Sequence, residues 1–358
     1  MYGKRIGRVL KELEKMKLEQ MLVSDPLAIY YLTGVMNHPM ERLFALLLRT
    51  DGGHVFFLNN MFVIDNRAGI REVWMDDTDD CIGIVAQNVD RTKDIGIDKV
   101  WPSRFLLGLM GKNPGVKYID SSVAIDRVRM VKDSAEIELM RKSSHINDAC
   151  MEEFSRFFKE GVSELEASDH VGGLFKKHGA ARWGSSSLVC FGKNAADPHH
   201  SADGTRLKAG DCVLIDMGGV FENYISDMTR TFYYKSVSDK EREVYDIVLR
   251  ANLLAESMIK PGVALRELDR AARELIAEAG YGDFFIHRLG HFIGTDCHEF
   301  GDVSSVSDIV AEEGMIFSIE PGIYLPGETG VRIEDLVLVT KDGCEVLNRA
   351  DKALQIIG

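Results

Sequence analysis

The feature that most constrains this chain is a repeat within its C-terminal half. Lys159-Glu160-Gly161-Val162 leads into a helical pattern stopped by Gly179. Lys260-Pro261-Gly262-Val263 leads into another stopped by Gly280, a constant shift of 101 residues. Further on, Leu214-Ile215-Asp216-Met217-Gly218 corresponds to Ser318-Ile319-Glu320-Pro321-Gly322 at a shift of 104, and the second acids, Asp227 and Glu334, correspond at 107. The drift fits loop insertions between two copies of one unit. This region is therefore expected to fold as two related halves, each supplying two carboxylates from a pair of strands. A merely solvated acidic surface has no reason to follow a duplication.

A hairpin turning at Val220–Asn223 would set Asp216 directly opposite Asp227, and one centred on Gly327 would set Glu320 opposite Glu334. Directly opposed residues have Cβ atoms about 4.5–5.5 Å apart and share a face. Carboxylates in that position repel unless something cationic lies between them. Arg332, two residues before Glu334, would share its face and could orient the acids. Histidines are patterned too, as His287-Arg288-Leu289-Gly290-His291 leading to His298-Glu299, and as Pro198-His199-His200. His287 and His291 lack the His-Glu-x-x-His arrangement of a helical zinc site, and the flanking glycines argue against a regular helix. The remaining histidines (His38, His54, His145, His170 and His178) are read as structural. Four acids with one or two imidazoles suit hard divalent ions such as Mn or Mg rather than thiolate-type zinc. They are too many for one catalytic ion but natural for two sharing carboxylates, a combination that activates water and polarises a carbonyl. That chemistry is hydrolysis.

The 358 residues favour two domains. Residues 1–122 alternate helical spacing (Ile6, Val9, Leu10, Leu13) with short strand-like runs such as Phe44 to Leu48, an α/β pattern. A linker is expected at 123–132 and a second domain at 133–358, so the whole reads as α/β (α+β). Asp133-Ser134-Ala135-Glu136 opens a helix running towards Gly161, and Ser163/Glu166 and Ser238/Glu241 open two more, all with capping-box spacing. The net charge of −13 opposes a nucleic-acid or anionic-membrane partner. The charged start (Met1 to Arg8) lacks the apolar core of a signal peptide. Six scattered cysteines without a Cys-x-x-Cys pair read as free thiols of a cytoplasmic protein.

At the acidic and histidine motifs the sequence resembles the pita-bread (creatinase/methionine aminopeptidase-like) metallopeptidases, within them the Xaa-Pro dipeptidases (prolidases) and Xaa-Pro aminopeptidases. The matching segments are Asn194 to His199, Leu214 to Gly218, Ser226 to Thr231, His287 to Glu299, Ile319 to Gly322 and Val331 to Asp335. Asp25 to Gly34 resembles the N-terminal, creatinase-like domain of the same family, so the likeness spans the chain. The resemblance implies a pseudo-twofold pita-bread domain with metal ligands Asp216, Asp227, His291, Glu320 and Glu334, of which Asp227 and Glu334 bridge two ions. It implies that Glu320 also carries a proton to the departing amine, that His199 and His298 contact substrate and stabilise charge, and that His287 lines the pocket. The implied cofactors are two divalent ions per subunit, Mn2+ or Co2+, with Zn2+ or Fe2+ as further candidates. The implied substrates are proline-containing di- or oligopeptides, and the implied assembly is a homodimer.

One position departs from the family pattern. Prolidases usually carry an arginine shortly after the His-Glu pair that grips the free carboxylate of a dipeptide, and here that place holds Asp302. An acid cannot pair with a carboxylate, so strict dipeptidase specificity is not expected, and Arg332 is a possible substitute. The loop Val35 to Arg42 offers His38 or Arg42 for contact across a dimer, against the plain reading of a solvated loop. The rival functions are hydrolysis of a non-peptide amide and a non-catalytic binding role; the intact ligand set weakens the second.

Overall fold

Runs such as Phe44-Ala45-Leu46-Leu47-Leu48 are apolar at successive positions, which suits a strand covered on both faces. The computed structural model describes residues 2–65, 68–183 and 188–358. Its chain divides into two units, Met1–Arg129 and Met130–Gly358. In the first, six strands lie in the order Arg71–Met75, Val55–Asn59, Ala45–Arg49, Gln20–Val23, Ile95–Ile97, Tyr118–Asp120. Ala45–Arg49 pairs antiparallel with both neighbours and the other pairings are parallel. Leu22, Leu47 and Phe57 pack with Val85 and Leu109 of two helices, Cys81–Asn88 and Ser103–Lys112. Met21, Leu46 and Phe56 pack on the other face with Val9, Ile29 and Ile125. The alternation along each strand thus feeds two cores.

Two expectations fail at the junctions. Residues 123–132, read as a linker, are mostly the helix Ser122–Met130, whose Ala124, Ile125 and Val128 are buried. The helix from Asp133 ends at Phe154 instead of continuing towards Gly161. The phenylalanines whose spacing looked helical cluster through turns, with Phe154 and Phe158 ring centroids 4.9 Å apart. In the 35–42 loop, Arg42 donates two hydrogen bonds of 2.8 Å to Asp77 of its own unit.

The second unit repeats one pattern, a helix pair followed by three antiparallel strands. The first copy comprises Ser134–Phe154, Glu164–Lys177, Leu188–Phe191, Cys212–Met217 and Met228–Tyr234. The second comprises Asp239–Met258, Leu265–Glu278, Gly290–Phe292, Ile316–Ile319 and Asp335–Val339. Strand registers match, since Phe191 pairs with Val213 and Phe292 with Phe317. Gly179 and Gly280, which stop the second helix of each pair, adopt φ of 94° and 88°, a conformation that costs glycine little. All three capping boxes form at Asp133, Ser163 and Ser238. The helices back the strands: Val248 and Ala251 pack with Leu214, Phe317 and Val331, while Val171 and Phe175 pack with Val189, Val213 and Ile215.

Each half ends in a hairpin that carries the acids, with the ladder interrupted at Asp227 in the first half and at Glu320 and Glu334 in the second. In the second half the register Ile319↔Asp335 and Gly322↔Arg332 brackets an opposed Glu320 and Glu334, as the sequence predicts. In the first half Asp216 pairs with Thr229, not with Asp227. The turn there is the two residues Glu222 and Asn223, with φ of 45° and 69°, so its centre lies one residue later than expected. That moves the pairing by two positions and leaves both aspartates on one face, now as diagonal neighbours. Substituting Ser238 by alanine removes an exposed cap far from these acids. It is expected to cost about 1 kcal/mol, read as a fall of roughly 2–4 °C in the thermal midpoint.

Candidate metal centre

Every site residue expected from the sequence lines one cavity of about 820 Å³: His199, Asp216, Asp227, His287, His291, His298, Glu320, Arg332 and Glu334. His291 stands on the short strand Gly290–Phe292, held by its backbone N–H donating to Ser318 Oγ at 3.0 Å. Gly290 before it has no room for a Cβ, which would lie 1.9 Å from the Ser318 carbonyl. That close approach carries His291 in towards the acids. Its Nε2 lies 3.5 Å from Glu320 Oε1, 3.8 Å from Asp227 Oδ2 and 3.9 Å from Glu334 Oε1.

These groups are buried in forms that water would not choose. Burial, with the Asp216 charge beside it, pushes the Asp227 carboxyl well above the usual range. Burial and then Asp227 do the same to Glu334, and burial pushes Glu320 up to about 7. Burial and His298 hold His291 down to about 3, a neutral imidazole with a lone pair to offer. Glu334 Oε1 is buried with no hydrogen-bond partner among the described residues. A buried acceptor left so is costly. Three crowded carboxylates, a neutral imidazole and one orphaned oxygen fit divalent cations, which repay the desolvation that the acids alone cannot. Asp227, His291 and Glu334 would hold one from both halves of the repeat, with Asp216 and Glu320 completing the donors.

Arg332 is more committed than its spacing suggests. Only 3 % exposed, its guanidinium donates to Asp216 Oδ2 at 2.7 Å, to Thr229 Oγ1 at 3.0 Å and to the Tyr324 hydroxyl at 2.9 Å. Thr229 in turn donates to Glu334 Oε2 at 2.8 Å. One cation thus steadies acids of both halves, the orienting task expected of it, while its side chain also lines the cavity. His287 is occupied too. Its Nδ1 faces the Arg288 carbonyl at 2.7 Å, so the Nδ1–H tautomer leaves Nε2 to accept from the Tyr324 hydroxyl at 2.8 Å, and burial holds the ring down to about 4. It lines the cavity with both ring nitrogens engaged. His199 and His298 remain the accessible imidazoles. Asp302 does not line the cavity, but Arg288 does, its Nη1 3.9 Å from Asp302 Oδ2.

The sequence reading missed Thr229, Tyr324, Ser318, Cys297 and Arg288. Thr229 follows Asp227 by two, which put it on the acid face in plain view. Ser318 donates to Glu320 Oε1 at 3.2 Å and the Cys297 thiol to Asp227 Oδ2 at 3.2 Å, contacts that no spacing rule signals.

Twin helix-backed hairpins meeting over buried carboxylates define the class, a metallohydrolase of pita-bread fold. The family model for metallopeptidase family M24 matches residues 138–341, and that for the creatinase/prolidase N-terminal domain matches residues 5–131. The chain belongs to metallopeptidase family M24. It is 38 % identical over 351 residues to an uncharacterized peptidase of Staphylococcus aureus (strain USA300), covering 97 % of this chain and 99 % of that one. Among solved structures, an Xaa-Pro dipeptidase from Bacillus anthracis is 30 % identical with a TM-score of 0.92, covering 100 % of each chain. An X-Pro aminopeptidase from Thermotoga maritima MSB8 is 27 % identical with a TM-score of 0.84, covering 97 % of this chain and 100 % of that one.

In chelator, Glu334→Gln is expected to match or exceed the wild-type thermal midpoint, because the amide removes an acid that is costly to bury beside Asp227 and Glu320. Mn2+ or Co2+ at about 100 times its Kd should stabilise the wild type by roughly 2.7 kcal/mol and the variant far less, measured by thermal unfolding with and without metal. Equal stabilisation of both proteins would overturn the assignment of Glu334.

Proposed function

We propose that this protein is a peptidase with two divalent ions, Mn2+ or Co2+, that hydrolyses the bond between an N-terminal residue and proline. The observation that carries the reading is the crowding of Asp227, Glu320 and Glu334 around His291 Nε2, with Glu334 Oε1 unpaired. The peptide specificity is drawn from the relatives described as an Xaa-Pro dipeptidase and an X-Pro aminopeptidase.

Bound cations would supply the charge that makes water a nucleophile at neutral pH and polarises the scissile carbonyl. The side chains do the rest. Asp227 and Glu334, offered from opposite halves of the repeat, would hold the ions together with Asp216, Glu320 and His291. Glu320, on the cavity wall beside His291, is the group placed to take a proton at its carboxylate and return it to the departing amine. His199 and His298 face the open cavity and stabilise the oxyanion of the tetrahedral intermediate by donating N–H groups. Arg288 on the cavity wall supplies the cation for a peptide C-terminal carboxylate, the task that Asp302 cannot perform. Dipeptides and longer Xaa-Pro peptides are then both substrates. The six free thiols support a reducing, cytoplasmic setting. Among the described residues no helix is long and apolar enough to cross a membrane. A homodimer is the proposed assembly.

The test compares Xaa-Pro dipeptides with Xaa-Pro-Xaa peptides at matched metal loading. Both should be cleaved, and thorough chelation should abolish both activities. Asp227→Asn should lower kcat by about 10³-fold or more, on the scale of losing a principal charge-stabilising group. Arg288→Ala should raise KM for dipeptides roughly 10–100-fold, the worth of a charge-assisted hydrogen bond, and affect longer peptides less. Cleavage persisting in the chelated wild type would defeat the reading.

A further inference from the structure

Glu164, His200 and Asp203 form a second cluster of metal-ligating types, apart from the acids around His291. Its chemistry is closed, however. Glu164, the first residue of helix Glu164–Lys177, is 0 % exposed on its side chain. Its Oε1 accepts from the Phe191 backbone N–H at 2.7 Å and from Asn194 Nδ2 at 3.1 Å. Its Oε2 faces His200 Nε2 at 2.8 Å and accepts from the Asp203 backbone N–H at 3.1 Å. Four donors occupy the lone-pair positions of one carboxylate, which leaves no oxygen for a cation. Asn194 also donates to Thr205 Oγ1 at 3.1 Å.

These bonds converge on one segment. Glu164 ties its helix to the end of strand Leu188–Phe191 and, through His200 and Asp203, to the loop between Asp197 and Thr205. On the other side of His199, Asp197 Oδ1 accepts from the His199 backbone N–H at 3.0 Å, and the Asp197 carbonyl accepts from the His200 N–H at 3.1 Å. His199 therefore stands between a local turn and a buried anchor, its own side chain exposed to the cavity. An exposed imidazole on a loop keeps a fixed reach only if its neighbours are held. A misplacement of about 1 Å at a reacting centre can cost 10²-fold in rate.

We propose that His200, through its bond to buried Glu164, is a positioning residue that holds His199 at the reacting centre, so that this pair of adjacent histidines divides into one contact group and one anchor. The inference rests on the reading of His199 as a substrate contact. It is tested by a double-mutant cycle of His199→Ala and His200→Ala on an Xaa-Pro peptide, with metal affinity and amide exchange of the 188–205 segment measured on the same proteins. The expected result is that His200→Ala lowers kcat about tenfold or more at unchanged metal affinity and speeds exchange at Phe191 and Asp203. In the His199→Ala background it should lower kcat less than twofold. His200→Gln, whose amide can donate to Glu164, should recover most of the activity. Additive effects, an unchanged kcat in His200→Ala, or unchanged exchange would overturn the anchor. If His199→Ala alone leaves kcat intact, the contact role of His199 fails instead, and the exchange measurement still decides whether His200 secures the loop.

Discussion

Arg332 carries a buried positive charge from the second half of the repeat into the acids of the first. Its bonds to Asp216 and Thr229, and through Thr229 to Glu334, fix one acid from each half beside a neutral hydroxyl, where the two acids would otherwise repel. A planar guanidinium can serve three acceptors from one fixed position, which an ammonium on a flexible stem cannot. One guanidinium does not balance four carboxylates, so burial drives Asp227, Glu320 and Glu334 towards their protonated forms in the absence of cations. That shortfall of positive charge is what gives the centre its appetite for cations.

Behind this front the charges cancel. Arg230, 1 % exposed, donates to Asp335 Oδ1 at 2.7 Å and to the Glu334 carbonyl at 2.7 Å. Lys352 lies 3.0 Å from Asp335 Oδ2 and 2.7 Å from Glu256 Oε2. Two cations meet two acids in this layer, with the Glu334 backbone held in it. The carboxylate whose Oε1 lacks a partner on one side of the chain is thus seated on an ion-paired network on the other. Rigidity of this kind keeps donors in place before any ion arrives.

Much of this was legible in the sequence. The repeat exposed the two-half architecture, the capping boxes marked three helix starts, and Gly327 set the second hairpin correctly. The first hairpin slipped because its turn puts Glu222 at a positive φ, a conformation that residue type does not announce. The helix expected to reach Gly161 failed because aromatic spacing reads the same whether the rings cluster on a helix or through turns. At the site, charged and imidazole groups were visible because few other tasks explain them together. The groups that orient them were not, since a buried Thr229 or Tyr324 resembles any core residue until its hydroxyl is seen to have a partner. The orienting task of Arg332 was legible, but its extent was not, because spacing reveals which face a side chain takes and not how many acceptors await it.

The matching registers of the two halves have a further meaning. Phe191 and Phe292 occupy equivalent places, so the residue before each is Cys190 in one half and His291 in the other, and Cys190 is sealed in the core at 1 % exposure. Two separate copies of a half, related by a symmetry axis, would be obliged to present identical donors twice. Joined in a single polypeptide, they are released from that obligation: at this pair of equivalent positions the second half offers a nitrogen donor to the pocket and the first does not. Such lopsidedness makes the two flanks of the pocket chemically unequal, so that whatever is bound there meets a centre with a built-in direction.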